Sequence, residues 1–257
     1  METTQEKINR FRLYNRTMIA AALAKPNRRY QGVPAKLLLC SILDSLSVAA
    51  FPDTKMKNGE RFRETIKCFS EFEYIDHVSL LQLLAILDGL KSVPIEFQDF
   101  HKCVQGMHLE RFPKTQRLFK QNISIDRDPT LKEILEIWPK DINGELIKKG
   151  VLNPLVFTHG NLIWKYRNKL AHEFRNPGNG VDIDVKLTKT AYYQEVSKVT
   201  DMSPIDGLSF ENRWELVYPT GFFYHLTKSI LDGVCNSYQK QGNSPFLSYS
   251  EGSSWLV

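Results

Sequence analysis

The residue types best suited to proton and phosphate chemistry fall together in one stretch, Leu162–Gly178, LIWKYRNKLAHEFRNPG. At its centre stand Arg167, Asn168 and His172. Histidine is the side chain able to move a proton near neutral pH. Arginine presents a planar charged fork that fits phosphate oxygens and gains strength as their charge develops. Asparagine can orient either the imidazole or a phosphate oxygen. Together they suit phosphoryl transfer in which a neighbouring hydroxyl, such as the 2′-OH of RNA, attacks the phosphorus without help from a metal. Of the six histidines, only His172 has an arginine five to seven residues upstream. Requiring Asn directly after that Arg brings the chance occurrence to roughly one chain in a hundred at ordinary residue usage. The plainer reading is a helix end with a hydrogen-bonded His and a solvated Arg.

The element that must hold these groups is a helix. Residues 161–174 contain neither Gly nor Pro, and Leu162, Tyr166, Leu170 and Phe174 recur every four residues as an apolar stripe. Asn153-Pro154 and Thr158/Asn161 give start signals, and Asn176-Pro177-Gly178 stops the helix. Asn168 and His172, four apart, share a face. Arg167 lies about 140° round the helix from His172, a gap that a long side chain narrows and that a second element or a second chain would close.

Arg-Asn-x-x-x-His on the second half of a helix, in an all-α setting, resembles the signature of HEPN-domain proteins. YRNKLAHEFRNPG, with Cys-Ser-Ile-Leu-Asp (Cys40–Asp44) far upstream, is similar to stand-alone bacterial members. The resemblance implies a small helical bundle, usually a homodimer with two motifs facing across the interface. Its implied activity is that of a metal-independent endoribonuclease in toxin–antitoxin or antiphage-defence systems, with no cofactor. RNA and a cognate antitoxin or other defence protein are the implied partners. Arg167, Asn168 and His172 take the catalytic positions in order, and Lys165, Lys169 and Arg175 are expected to hold substrate. One departure stands out. Members paired with a nucleotidyltransferase often carry Tyr two after the His, where this chain has Phe174. Members that have lost catalysis keep the fold, so a non-catalytic RNA- or protein-binding module is the rival reading.

Composition sets the frame. The chain has 257 residues, 42% hydrophobic and 25% charged, ordinary for a globular protein. The net charge of +5 is local: residues 1–30 carry Lys7, Arg10, Arg12, Arg16, Lys25, Arg28 and Arg29 against Glu2 and Glu6. Such an arm suits a phosphate-bearing partner, or is simply a solvated helix face. Four cysteines lie far apart with no Cys-x-x-Cys pair, and Cys40 and Cys235 read as small core residues. His101 and His108, with Cys103 between them, lack a closely spaced carboxylate or thiol, so no metal site is expected. The first 15 residues are of mixed charge, and the apolar run from Leu37 is broken by Ser41, Asp44 and Ser45. These features argue for the cytoplasm, with no signal peptide and no membrane span.

Taken in order, the periodicity predicts helices over Gln5–Ala24, Pro34–Ala50, Asn58–Phe72, Val78–Leu90, a short one around Phe97–Met107, Thr130–Trp138, the motif helix, and Pro219–Tyr238. Residues 122–129 and 141–150 read as connections. On the second helix, Asp44 either supports the site by pairing with Arg167 or His172, or is bonded elsewhere or solvated. After Gly178 the period changes to two. Val181–Leu187 and Tyr192–Val199 read as strands, then a loop over Thr200–Asn212, then a return strand Trp214–Tyr218. The expected architecture is therefore mainly α: one HEPN-like helical domain over 1–240 with a basic N-terminal helix (1–30), a small β-hairpin or sheet insertion over about 181–218 before the last helix, and a weakly ordered tail over 241–257.

Overall fold

The computed structural model describes residues 2–24, 32–52, 55–112, 122–178, 188–203 and 207–247; for 197–203 and 207–212 it describes the backbone. The expected strand over 181–187, the tail beyond Leu247, and Lys25, Arg28 and Arg29 lie outside the described residues. In order the elements are α1 (Thr4–Leu23), α2 (Gly32–Ala50), α3 (Asn58–Phe69), α4 (Leu80–Asp88), α5 (Gln98–Arg111), β1 (Asn122–Ser124), α6 (Leu131–Ile137), α7 (His159–Glu173), β2 (Tyr192–Ser203), β3 (Gly207–Val217) and α8 (Thr220–Gln241). The protein is mainly helical with a small three-stranded antiparallel sheet, of strand order β1-β2-β3. The sequence reading takes 1–240 as one domain; within that span the chain forms two compact units. The first comprises residues 1–72, 170–175 and 220–257, the second residues 73–169 and 176–219.

The first unit is built on α8. Its Phe222, Leu226, Ile230 and Val234, with Phe223, Leu231 and Cys235 beside them, make a face wide enough to touch α1, α2 and α3. Helix α2 answers with Leu39, Cys40, Leu43, Leu46 and Ala49, all buried. By length and composition α2 is apolar enough to cross a membrane, yet half of it is buried against its neighbouring helices. Gly233 allows α3 to approach: a Cβ there would lie 2.5 Å from the Phe69 carbonyl oxygen. The Tyr238 hydroxyl donates to the Ala49 carbonyl and ties α8 to α2.

Helix α1 opens with a capping box, Thr3 bonding the Glu6 amide while Glu6 bonds back. Its arginines are partly engaged inside this unit. Arg16 pairs with Asp232 of α8 at 3.2 Å, and Arg10 pairs with Glu2 and lies over the Phe246 ring. The chain after α8 is thus packed as far as Phe246, which also meets Phe11 edge to face, beyond the expected start of the tail.

The second unit holds the sheet. Strand β2 pairs with β3 from Tyr192↔Val217 to Ser203↔Gly207, with an irregularity between Val199 and Asp201. The expected loop over Thr200–Asn212 is therefore mostly strand. Ser203-Pro204 and Asp206-Gly207 signal a loop, and they mask the short alternation of Leu208 and Phe210 with Ser209 and Glu211; in the ladder Leu208 stands opposite Met202 and Phe210 opposite Val199. Asn122–Ser124, read as loop, adds to the other edge of β2. Helix α6 starts at a second capping box, Thr130 with Glu133. Trp138 packs edge to face on Phe97 and Phe100 and donates from Nε1 to the Ile147 carbonyl at 2.8 Å.

Candidate functional site

Helix α7 begins at His159, directly after Thr158, one of its expected start signals. The Thr158 carbonyl accepts from the Leu162 amide, and the His159 amide donates to the His77 carbonyl at 2.9 Å. Ile163, Tyr166 and Leu170 form its buried face. Leu162 is only half-buried. Phe174, assigned by spacing to the apolar stripe, leaves it. Its backbone turns to φ +52°, its amide bonds the Leu170 carbonyl at 3.1 Å, and its side chain is 69% exposed. The helix has ended one residue earlier, so the four-residue period no longer governs where that ring points. The Tyr166 hydroxyl then fixes the outgoing chain by donating to Asn176 at 2.9 Å.

Arg167 and Asn168 are half-buried, and His172 is exposed. Arg167 Nη1 donates to Asn168 Oδ1 at 3.0 Å, and its guanidinium carbon lies 5.2 Å from the centre of the Trp164 ring. The fork is thus drawn round the helix toward Asn168, which is only about 40° from His172 by helix geometry. Asn168 serves the arginine through its carbonyl oxygen and keeps its NH2 group to donate. His172 makes no hydrogen bond to any described residue. Lys165, Lys169 and Arg175 are all exposed. Arg175 is held by Glu173 at 2.5 Å, and burial around the Lys165 ammonium lowers its pKa although the residue as a whole is exposed. Asp44 is half-buried on α2, in the first unit. On α5, His101 Nε2 lies 2.7 Å from Asp88, while His108 stacks on Phe112 and is pushed to lower pKa by burial.

A second polar cluster lies outside the sequence reading. In the second unit Asp128, His159, Tyr193, Tyr218 and Ser79 are all buried. His159 Nε2 lies 2.8 Å from Asp128 Oδ2, and its Nδ1 lies 2.7 Å from the Tyr218 oxygen. The Tyr193 oxygen lies 2.5 Å from Asp128 Oδ2 and 2.7 Å from Ser79 Oγ. The Leu80 amide donates to Asp128 Oδ1 at 3.1 Å. Donor counting accounts for the contacts just named. Ser79 donates to Tyr193, Tyr193 and His159 Nε2–H donate to Asp128, and Tyr218 donates to His159 Nδ1. Burial first, then the Asp128 charge, raises both tyrosine pKa values well above normal, which keeps the two hydroxyls as donors. Serine, histidine and aspartate are all present, but the serine meets a tyrosine rather than the imidazole, and no member reaches solvent. The cluster therefore ties together the ends of α4, α7, β2 and β3. No spacing in the sequence announces it.

No protein-family model, no curated protein and no solved structure matches the chain.

Proposed function

We propose that the chain is a metal-independent endoribonuclease of the HEPN type, acting as a homodimer in which the motif helices of two copies complete one active site. The observation that carries this reading is the state of the motif. The Arg167 fork is restrained by Asn168 and Trp164, while His172, one turn beyond Asn168, is exposed and free of competing bonds to described residues. A restrained guanidinium loses less freedom on meeting a phosphate, and an exposed imidazole is open to a substrate.

In this mechanism the 2′-oxygen attacks the adjacent phosphorus. The bond to O2′ forms as the bond to O5′ breaks, leaving a 2′,3′-cyclic phosphate and a 5′-hydroxyl. His172 moves the proton, taking it from the 2′-OH or giving it to the departing O5′. The partner chain's copy of the motif supplies the complementary transfer. Arg167 steadies the charge that builds on the phosphoryl oxygens. Lys165, Lys169 and Arg175 hold the strand through its phosphates. A toxin or antiphage-defence role, with an antitoxin or another defence protein as regulator, follows from the same family reading.

The test is cleavage of end-labelled single-stranded RNA by the wild type, Arg167→Ala and His172→Ala, each with and without EDTA. Expected are cyclic-phosphate products, indifference to EDTA, and losses of about 10²-fold or more in both variants without unfolding. Cleavage abolished by EDTA and untouched by His172→Ala would overturn the reading. RNA retention that weakens with salt, with no cleavage by the wild type, would favour the non-catalytic binding module instead.

A further inference from the structure

Phe174 carries a strain that its own fold does not offset. A non-glycine residue with positive φ is uncommon, and for a bulky side chain it is an outlier. Among the described non-glycine residues Phe174 alone adopts it, at φ +52°. The position closes α7, where glycine or asparagine would do so with less strain. Nor does packing explain the residue, because the ring is 69% exposed. Strain kept at a position where the side chain touches little points to use of that side chain by something outside the fold.

The surroundings indicate what that something is. His172 stands two residues before Phe174, Glu173 and Arg175 flank it and pair with each other at 2.5 Å, and Lys169 is exposed on the last turns of the same helix. An exposed aromatic face close in sequence to Lys169 and Arg175 fits a single-stranded nucleic acid: phosphates take the charges and a base stacks on the ring. A protein partner recognised through Phe174 alone would have no use for so basic a setting.

We infer that Phe174 is a stacking platform for an unpaired nucleobase next to the phosphate that meets His172. The inference rests on the ribonuclease reading and adds a base-binding subsite to it. Stacking is indifferent to base identity, since every base has a π face, so the subsite selects unpaired nucleotides over duplex rather than a sequence.

The experiment separates strain from use. Phe174→Gly removes both the ring and the unfavourable φ, whereas Phe174→Trp keeps an aromatic face. Each full-length variant is melted, and its affinity is measured for a fluorescent 2′-O-methyl oligoadenylate, which has no 2′-hydroxyl to attack, over a range of salt. Phe174→Gly is expected to melt higher than the wild type yet bind about tenfold more weakly. Its salt dependence should be unchanged, because no phosphate contact is lost. Phe174→Trp should bind as the wild type does. Unchanged affinity in Phe174→Gly, with the wild type binding normally, overturns the subsite and leaves the nuclease reading standing. A lower melting point overturns it too, by showing that the ring packs within the fold. Dissociation of a wild-type dimer by Phe174→Gly, seen in sedimentation, would overturn it by assigning the ring to a chain–chain contact. A wild type that binds no oligonucleotide removes the subsite together with the reading beneath it.

Discussion

Arg167 donates through Nη1 to the side-chain oxygen of Asn168, its next neighbour in the chain, at 3.0 Å. Consecutive residues on a helix point about 100° apart, so their side chains do not ordinarily meet. The bond forms because the arginine wraps back across the Trp164 ring. Asn168 is therefore read as a positioning residue for the guanidinium. Asn168→Ala should lower kcat for RNA cleavage about tenfold with little change in KM, because the cation remains but its aim is lost. Asn168→Asp should cost at least as much. Its carboxylate grips Arg167 more firmly but places a negative charge beside the phosphate of the proposed mechanism. Steady-state kinetics beside a melting curve separates these effects from unfolding. Equal kcat in all three proteins would remove the positioning role.

Arg167→Lys tests the fork itself. Lysine keeps the charge but not the planar pair of donors, and it stacks less well on an indole. Cleavage should fall by about tenfold or more, while the salt slope of RNA binding stays near wild type because the charge is unchanged. If the Arg167→Lys variant cleaved as fast as the wild type, simple charge would suffice and the bidentate argument would fail.

The Asp128 cluster bears on alkaline stability. Tyr193 and Tyr218 have folded-state pKa values raised well above the unfolded value, by burial and then by Asp128. Their stabilisation is fully present below the unfolded tyrosine pKa of about 10 and is lost as pH climbs above it toward the folded values. The melting temperature should therefore fall steeply above about pH 10. Tyr218→Phe removes one of these groups and its hydrogen bond to His159 Nδ1. It should cost about 1–3 kcal/mol at neutral pH and make the alkaline fall shallower. Melting curves of the two proteins across that pH range decide the matter; parallel curves would mean that Tyr218 does not titrate with unfolding.

Much of the helical frame is legible in the sequence because burial there follows the helix period. Leu39, Leu43 and Leu46 of α2, and Phe222, Leu226 and Ile230 of α8, are buried as their spacing requires. Cys40 and Cys235 are the small core residues their apolar neighbours suggest. The hairpin is harder to read, since Ser203-Pro204 and Asp206-Gly207 signal a loop while Leu208 and Phe210 alternate over too short a run to signal a strand. Phe174 defeats the four-residue rule because one backbone rotation at the helix end redirects the ring. The partners of Asp128 stand 31 to 65 residues from it in the chain, a proximity that the tertiary fold creates and no local pattern encodes. The Arg167–Asn168–His172 spacing is readable from the sequence, whereas the turning of Arg167 toward Asn168 emerges only from coordinates.

Two glycines on helices should respond to the same substitution with opposite signs. Gly233 lies on α8 where α3 comes closest; an added Cβ would meet the Phe69 carbonyl oxygen at 2.5 Å and the Phe69 Cα at 3.1 Å. Both are backbone atoms, so no side-chain rotation relieves the clash and α3 must move. Gly233→Ala should destabilise by about 1–3 kcal/mol, even though alanine is the better helix former. Gly106, within α5, has nothing within 4 Å of its would-be Cβ. There the helix propensity acts alone, and Gly106→Ala should stabilise by about 0.5–1 kcal/mol. For a chain of this size each kcal/mol moves the midpoint by roughly 2–4 °C, so the two melting curves should fall on opposite sides of the wild type. Gly233→Ala melting as high as Gly106→Ala would mean that α3 and α8 are not packed as closely as the Phe69 contact requires.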